Sequence, residues 1–229
     1  CRQPNSTENR ILDRQMAFTS REEKGFSSDI IAITEKYGLP SARSLMKHPP
    51  KKAMWKSMVD RAVSEYWFQE WSCQLPVLSS LQYLQIPKDP IKGVHNLWAA
   101  VNPAEHEVKR GEVKARLLTG TYMLQTKLQK FSKVGITGIC QLCKVEDETL
   151  EHFLLTCSSL EETRQRGMCT IEKTMSQIHP SGLNHILKAG KIIQLLMDCT
   201  HTEVQDLVKM TADQMKAVER ASQCYCFHL

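Results

Sequence analysis

Residues 51–72 read KKAMWKSMVDRAVSEYWFQEWS. Met54, Met58, Ala62 and Tyr66 recur every four residues, and Trp55, Val59, Val63 and Trp67 form a parallel row beside them. Side chains four apart lie on one side of a helix, so the two rows make one broad apolar stripe. Lys51, Lys52, Lys56 and Arg61 fall off it. The spacing predicts a helix over about Lys51–Ser72, with the aromatic row packed in a core rather than holding a cofactor.

Working outward, the text on both sides is also helical. Upstream, Ser28 is placed to cap a helix through Ile30, Ile31, Ile33 and Tyr37, which stops at Gly38-Leu39-Pro40. A short helix over Ser41–Met46 ends at Pro49-Pro50. Downstream, Pro76, Pro87, Pro90 and Gly93 cut residues 73–102 into short pieces. Asn102-Pro103 has the form of a helix start, with Asn as cap and Pro in the first turn. That helix is expected to run through Val108, Val113, Leu117 and Leu118 towards Leu124. Ser158-Ser159-Leu160-Glu161 has the capping-box form. A helix through Met168 and Ile171 should follow, then one holding Leu183 to Leu196, then one opened by Thr202-Glu203 that continues through Val204 and Met215 to Val218. No alternating strand pattern and no internal repeat stands out. The expectation is an all-α fold: an irregular helical domain with a small CCHC zinc-knuckle-like insertion.

Composition bounds the function. The chain has 229 residues, 41% apolar and 24% charged, within the ordinary range of folded globular chains. No apolar run approaches the length of a membrane span. The chain opens on Cys1 and polar residues, without the apolar core of a signal peptide, and the missing initiator Met suggests a fragment. The net charge of +5 hides an uneven distribution. Residues 41–135 carry 15 basic and seven acidic side chains, whereas residues 136–177 carry four and seven. The basic block can attract phosphate backbones, although a solvated lysine-rich helical surface gives the same count.

Nine cysteines, an odd number in irregular spacing, argue for reduced thiols and a metal site in an intracellular compartment, nuclear or cytoplasmic, over a disulfide framework. One group is tight. Cys140, Cys143, His152 and Cys157 follow C-x2-C-x8-H-x4-C. Two thiolates separated by two residues can bind one ion from a single turn, and the second pair comes from a following element, a short helix around Thr149–Leu155. Four N/S ligands suit one tetrahedral Zn²⁺ with no open position, a structural role. Cys73, Cys169 and Cys199 read most simply as buried small hydrophobes. The terminal Cys224-Tyr225-Cys226-Phe227-His228 reads as a frayed tail without metal. Glu146, Asp147, Glu148 and Glu151 read as an exposed solubilising face and as charge for a helix N-terminus. No phosphate loop, nucleophile elbow or metalloprotease motif is present, so no enzyme activity is expected of this chain, and neither a membrane nor a small-molecule substrate is expected as partner.

Several stretches carry a family resemblance: Tyr37-Gly38-Leu39-Pro40-Ser41-Ala42, Pro49-Pro50-Lys51, Trp55-Lys56, Glu65-Tyr66-Trp67, Ser79-Ser80-Leu81-Gln82-Tyr83-Leu84, His95-Asn96-Leu97-Trp98 and Lys114-Ala115-Arg116-Leu117-Leu118-Thr119-Gly120-Thr121-Tyr122. With Cys140-Gln141-Leu142-Cys143 and His152-Phe153-Leu154-Leu155-Thr156-Cys157, the order of motifs resembles the region that follows the polymerase domain in non-LTR retrotransposon reverse transcriptases. That region is helical and ends in a CCHC zinc-binding module. The resemblance spans about Phe26–Arg164, roughly 60% of the chain. It implies Cys140, Cys143, His152 and Cys157 as zinc ligands, and template RNA or target DNA as partner. The family often has Pro and Gly where Gln141 and Lys144 stand, and Pro where Ser158 stands, differences of loop stiffness rather than of ligands. The polymerase's paired catalytic aspartates and the endonuclease domain are absent.

The expected layout is therefore a connecting segment with short helices (1–48), a basic helical segment (49–135), a CCHC zinc-binding module (136–165) and C-terminal helices (166–229). Lys109, Arg110, Lys114, Arg116, Lys127, Lys130 and Lys133 lead into the zinc module as a basic surface for RNA or DNA, with low specificity and strong salt dependence. The alternatives are a zinc-stapled scaffold that packs on an upstream polymerase domain or another protein, and a decayed element fragment without function.

Overall fold

The computed structural model describes residues 7–18, 25–87, 93–132 and 135–229. The protein is all-α: no strand forms among the described residues, and the only extended pairing there is an isolated antiparallel bridge between Ile139 and Asp147. The described residues fall into two units, one reaching Trp71 and the other made of Ser72–Pro87 with Gly93–Leu229. No described helix is long and apolar enough to cross a membrane.

The first unit holds α1 (Thr7–Phe18), α2 (Phe26–Lys36), α3 (Ala42–Lys47) and nearly all of α4 (Lys52–Gln74). Ser28 serves α2 from inside its first turn: its hydroxyl accepts from the Gly25 N–H at 2.9 Å and donates to the Gly25 carbonyl at 2.7 Å. Gly38 ends the helix with φ +61°, a conformation open to glycine without strain. The long helix predicted from Met54 to Trp67 forms, but its stripe is not a core. No residue of α4 is fully buried; Trp55, Val59, Val63, Tyr66 and Trp67 are half-covered and Met54 is 58% exposed. Apolar residues continue past the stripe to Phe68 and Trp71, so no single face can bury them all.

The second unit carries the core. Its helices are α5 (Asn96–Ala99), α6 (Glu105–Leu118), α7 (Gln125–Phe131), α8 (Glu161–Ile178), α9 (Gly182–Lys188), α10 (Ile192–Met197), α11 (Thr202–Leu207) and α12 (Ala212–His228). The last helix is central: α12 packs against α8, α6, α5 and α10. Val218, Ala221, Tyr225 and Cys226 join Leu117, Leu154, Ile171, Met175, Leu195 and Leu196 in one cluster. The terminal Cys224–His228 stretch is thus helix, with Tyr225 and Cys226 buried, not a frayed tail. Of the three cysteines read as small hydrophobes, Cys199 is buried, whereas Cys73 and Cys169 are exposed.

Helix ends depart from the sequence expectation for identifiable reasons. α6 begins at Glu105 with Ala104 as cap, and it stops at Leu118 because Gly120 takes φ +63° while the Thr121 N–H reaches back to the Arg116 carbonyl at 2.8 Å. Gly190, at φ +67°, likewise divides the expected 183–196 helix into α9 and α10, with the Lys191 N–H bonded to the Ile186 carbonyl at 3.0 Å. The helix expected from Thr202 to Val218 is also two. Thr211 opens α12 with a capping box, its N–H bonded to Gln214 Oε1 at 2.8 Å and its hydroxyl accepting from the Gln214 N–H at 3.3 Å. The Ser158–Glu161 box does not form: Ser158–Leu160 is a 3₁₀ turn, and the Glu161 carboxylate pairs with Arg164.

A long-range polar tie joins distant segments of this unit. The buried Asp198 carboxylate accepts from the Gln85 N–H at 2.8 Å, from His95 Nε2 at 3.0 Å and from the Thr200 hydroxyl at 2.6 Å. His95 Nδ1 accepts from the Leu97 N–H at 3.2 Å, so the proton sits on Nε2 and the ring caps α5. Burial alone would raise the Asp198 pKa, but the His95 and Thr200 hydrogen bonds outweigh it and hold the carboxyl below its usual value.

Candidate metal centre

The Cys-x2-Cys half of the cluster sits on a tight knuckle. The Lys144 N–H bonds to the Cys140 carbonyl at 2.9 Å, and the Cys140 N–H to the Glu146 carbonyl at 2.8 Å. Below it, the Glu148 N–H reaches the Gly138 carbonyl at 2.8 Å, next to the Ile139–Asp147 bridge. Turning the chain this sharply puts Lys144 at φ +59°, the only positive φ at a described residue other than glycine. The His and the last Cys come from the next element. His152–Thr156 is one wide π-helical turn, and Cys157 follows it with its N–H on the His152 carbonyl at 2.8 Å.

These two pieces bring Sγ of Cys140, Cys143 and Cys157 and a ring nitrogen of His152 within 4.8 Å of one another. Cys140 Sγ lies 3.9 Å from Cys157 Sγ, and Cys143 Sγ lies 3.3 Å from His152 Nε2. Cys140, His152 and Cys157 are buried, and Cys143 is half-buried. The compact Cys3His cluster could hold a metal ion. The described cysteines form no disulfide.

Electrostatics splits the two knuckle thiols. Burial pushes the Cys140 thiol up to about 11. Backbone N–H groups of Glu146 and Val145, aimed at the Cys143 sulfur, draw that thiol down to about 6. Glu146 fixes the imidazole: its carboxylate is 2.9 Å from His152 Nδ1, which leaves Nε2 turned towards Cys143. Glu148 is buried, not exposed; one carboxylate oxygen accepts from the Gln125 N–H at 2.7 Å, at the start of α7, and the other lies 3.7 Å from Cys140 Sγ. Of the acidic stretch, then, Glu146 orients a ligand and Glu148 caps a helix.

Two residues that sequence reasoning missed tie the module to the core. A π turn leaves carbonyls without their usual helical donors. The Leu154 carbonyl accepts from Arg164 Nε at 3.1 Å and from the Tyr225 hydroxyl, and the Cys157 carbonyl accepts from Arg164 Nη2 at 2.5 Å. Arg164 is buried, on the first turns of α8. A lone Arg after a cysteine motif gives no sign of this in sequence.

The basic residues expected to lead into the module are not one surface. Lys114 is fully buried, 2.7 Å from Glu219 and 2.6 Å from Ser222 Oγ, and so belongs to the core between α6 and α12. It lies on the inward face of α6, whose other buried residues include Gly111, Leu117 and Leu118. Lys109 pairs with Glu105 at 2.7 Å, Arg110 with Glu107 at 2.6 Å and Arg116 with Glu112 at 2.6 Å, all within α6. The Lys127 ammonium bonds to the Gly120 carbonyl, and its pKa is lowered by burial and by Lys130 nearby. Lys130 is exposed. Lys133 lies outside the described residues.

No protein-family model matches this sequence, and neither the curated proteins nor the solved structures compared with it give a match.

Proposed function

We propose that Cys140, Cys143, His152 and Cys157 hold one structural Zn²⁺, and that the chain is the zinc-stapled helical region of a reverse-transcriptase-like protein, where it holds RNA or target DNA with low specificity. The observation that carries the zinc reading is the gathered Cys3His set. A tetrahedral ion with Zn–S bonds of about 2.3 Å has S–S edges of about 3.8 Å, and Cys140 and Cys157 stand 3.9 Å apart. Soft thiolates with one imidazole favour zinc over hard cations. Four protein ligands leave no position for substrate, so the bound ion supplies a cross-link rather than catalysis.

The chain's own residues do the rest. Cys140 and Cys143 present their sulfurs from the knuckle, Glu146 keeps His152 in the ligating tautomer, and Arg164 with Tyr225 anchors the π turn to α8 and α12. The nucleic-acid reading rests on the ordered resemblance and on the basic segment at 41–135. Exposed pairs such as Glu105–Lys109 and Glu112–Arg116 are worth about 0.3–0.5 kcal/mol each, so a phosphate can displace the carboxylate. One observation favours a second reading, the scaffold that packs on a polymerase or another protein: Lys114 is buried and three of its basic neighbours already face acids on their own helix.

The test measures bound zinc and then titrates labelled RNA and duplex DNA at low and moderate salt, for the wild type and Cys143→Ser. One zinc per chain and salt-sensitive binding are expected, with both lost in the variant. One zinc without binding to either nucleic acid would leave the scaffold. A chain without zinc would overturn both readings.

A further inference from the structure

The first unit contains an open groove of ≈ 800 Å³ between α4 and the turn that ends α2, lined among others by Lys36, Tyr37, Met54, Met58, Arg61 and Tyr66. We propose that this groove is a binding site for single-stranded nucleic acid, with bases lying on Tyr66, Tyr37 and the two methionines and phosphates meeting Lys36 and Arg61. The proposal rests on the nucleic-acid reading above and gives it a place.

Three observations point to this occupant. The rings are presented rather than packed away: Tyr37 and Tyr66 meet edge-to-face at 5.1 Å, both half-covered, beside Met54 at 58% exposure. The Lys36 ammonium lies 5.3, 5.0 and 5.2 Å from the ring centres of Tyr37, Tyr66 and Trp67, so a flexible cation is held at the aromatic edge before any ligand arrives. Cations outnumber acids along the segment that builds the groove, and Lys36 and Arg61 line it against a single carboxylate, Glu65. From Lys36 to Arg61 the sequence has seven Lys or Arg, all exposed, and a single acid, Asp60.

The chemistry then selects among partners. An apolar helix would use the methionines and tyrosines but gain nothing from Lys36 and Arg61. Duplex nucleic acid would meet the cations but keeps its base faces stacked inside. An unpaired strand offers both a π-face for each base and a phosphate for each step, the combination that aromatic-lined basic grooves take up. The volume lies in the range of clefts that enclose small organic groups, about 300–1,000 Å³. Glu65 and Gln69 line the same groove, placing a carboxylate acceptor and an amide where base edges would come.

The experiment titrates the full chain with fluorescent oligouridine and oligothymidine at about 50 and 200 mM salt, with bound zinc and helicity read on the same samples. Lys36→Gln and Arg61→Gln should each reduce the salt slope by about one. Tyr66→Leu should weaken binding roughly tenfold at both salts, whereas Tyr66→Phe should restore it. Binding that ignores these variants but falls in Lys109→Gln or Lys130→Gln would overturn the groove and leave the nucleic-acid reading standing. Absence of binding in the wild type would overturn both. A groove that takes up an amphipathic apolar peptide while the wild type leaves both oligonucleotides unbound would also overturn the proposal.

Discussion

Lys144 is the residue at which the metal knuckle is least comfortable. Its φ of +59° costs a side chain of ordinary shape about 1 kcal/mol or more, and glycine almost nothing. Lys144→Gly should therefore stabilise the loaded protein by about 0.5–1 kcal/mol, read as a rise in melting temperature and a slower loss of metal to a chelator. The sequence already marked this position, since the resembling family often has Gly there. The strain itself was not legible, because φ is set by the Lys144 N–H closing on the Cys140 carbonyl. The ligands were legible for a simple reason: all four lie within 18 residues, so spacing alone constrains them. The residues that support them were not. Glu146 reads as a surface acid until His152 folds back onto it at 2.9 Å, and Arg164 reads as one more helix cation until its guanidinium meets two carbonyls of the π turn.

At the scale of elements, the helices were legible and their ends were not. Apolar spacing reveals a helix, but Gly120 and Gly190 end theirs through backbone conformations that spacing does not encode. The contact between α8 and α12 depends on one small residue. A Cβ at Gly167 would stand 2.5 Å from Cδ2 of Tyr225, whose hydroxyl is tied to the Leu154 carbonyl and whose ring cannot simply swing away. Gly167→Ala gains about 1 kcal/mol of helix propensity and loses about 1–3 kcal/mol to overpacking. The expected outcome is a net loss of stability, with a lower melting temperature and weaker metal retention, because Tyr225 anchors the π turn. Gly190→Ala makes a useful contrast: no atom lies within 4 Å of its Cβ, so its cost is that of φ +67° alone.

At the scale of the whole second unit, the fully buried pair of Lys114 and Glu219 decides how α6 meets α12. Burial alone would lower the Lys114 pKa, but Glu219, with Cys226 and Cys199 beside it, more than reverses that, so the amine stays charged. Glu219 Oε2 and Gln223 Oε1 have no protein partner there, so the network holds little reserve. Lys114→Met should cost about 3–5 kcal/mol by stranding the carboxylate, whereas Lys114→Met with Glu219→Leu should recover most of it; urea denaturation of the two variants checks the difference. Acid provides an independent probe of the Asp198 tie. A carboxyl with a lowered folded-state pKa contributes stability above its unfolded value, and that contribution is lost as pH falls through the folded one. The wild type should therefore lose stability below about pH 4, and Asp198→Asn should lose less over that range. These ties join residues more than 100 positions apart, which is why the sequence suggested a basic surface at Lys114 and separate C-terminal helices.

The central place of α12 has a consequence for biosynthesis. The ribosome delivers α5 and α6 about a hundred residues before the helix that covers them, as the bonds from Arg220 to Ala100, from Gln223 to Leu97 and from Lys114 to Ser222 record. The metal knuckle and its π turn emerge in between: their four ligands and the Glu146–His152 contact are local, whereas the bond from Tyr225 to the Leu154 carbonyl waits for α12. The nascent chain can thus close its metal loop early while the inner faces of α6 and α8 wait, apolar and open to chaperones. A premature stop before Ala212 would remove a modest tail by length, and with it Val218, Ala221, Tyr225 and Cys226 and the surface on which α5, α6 and α8 pack.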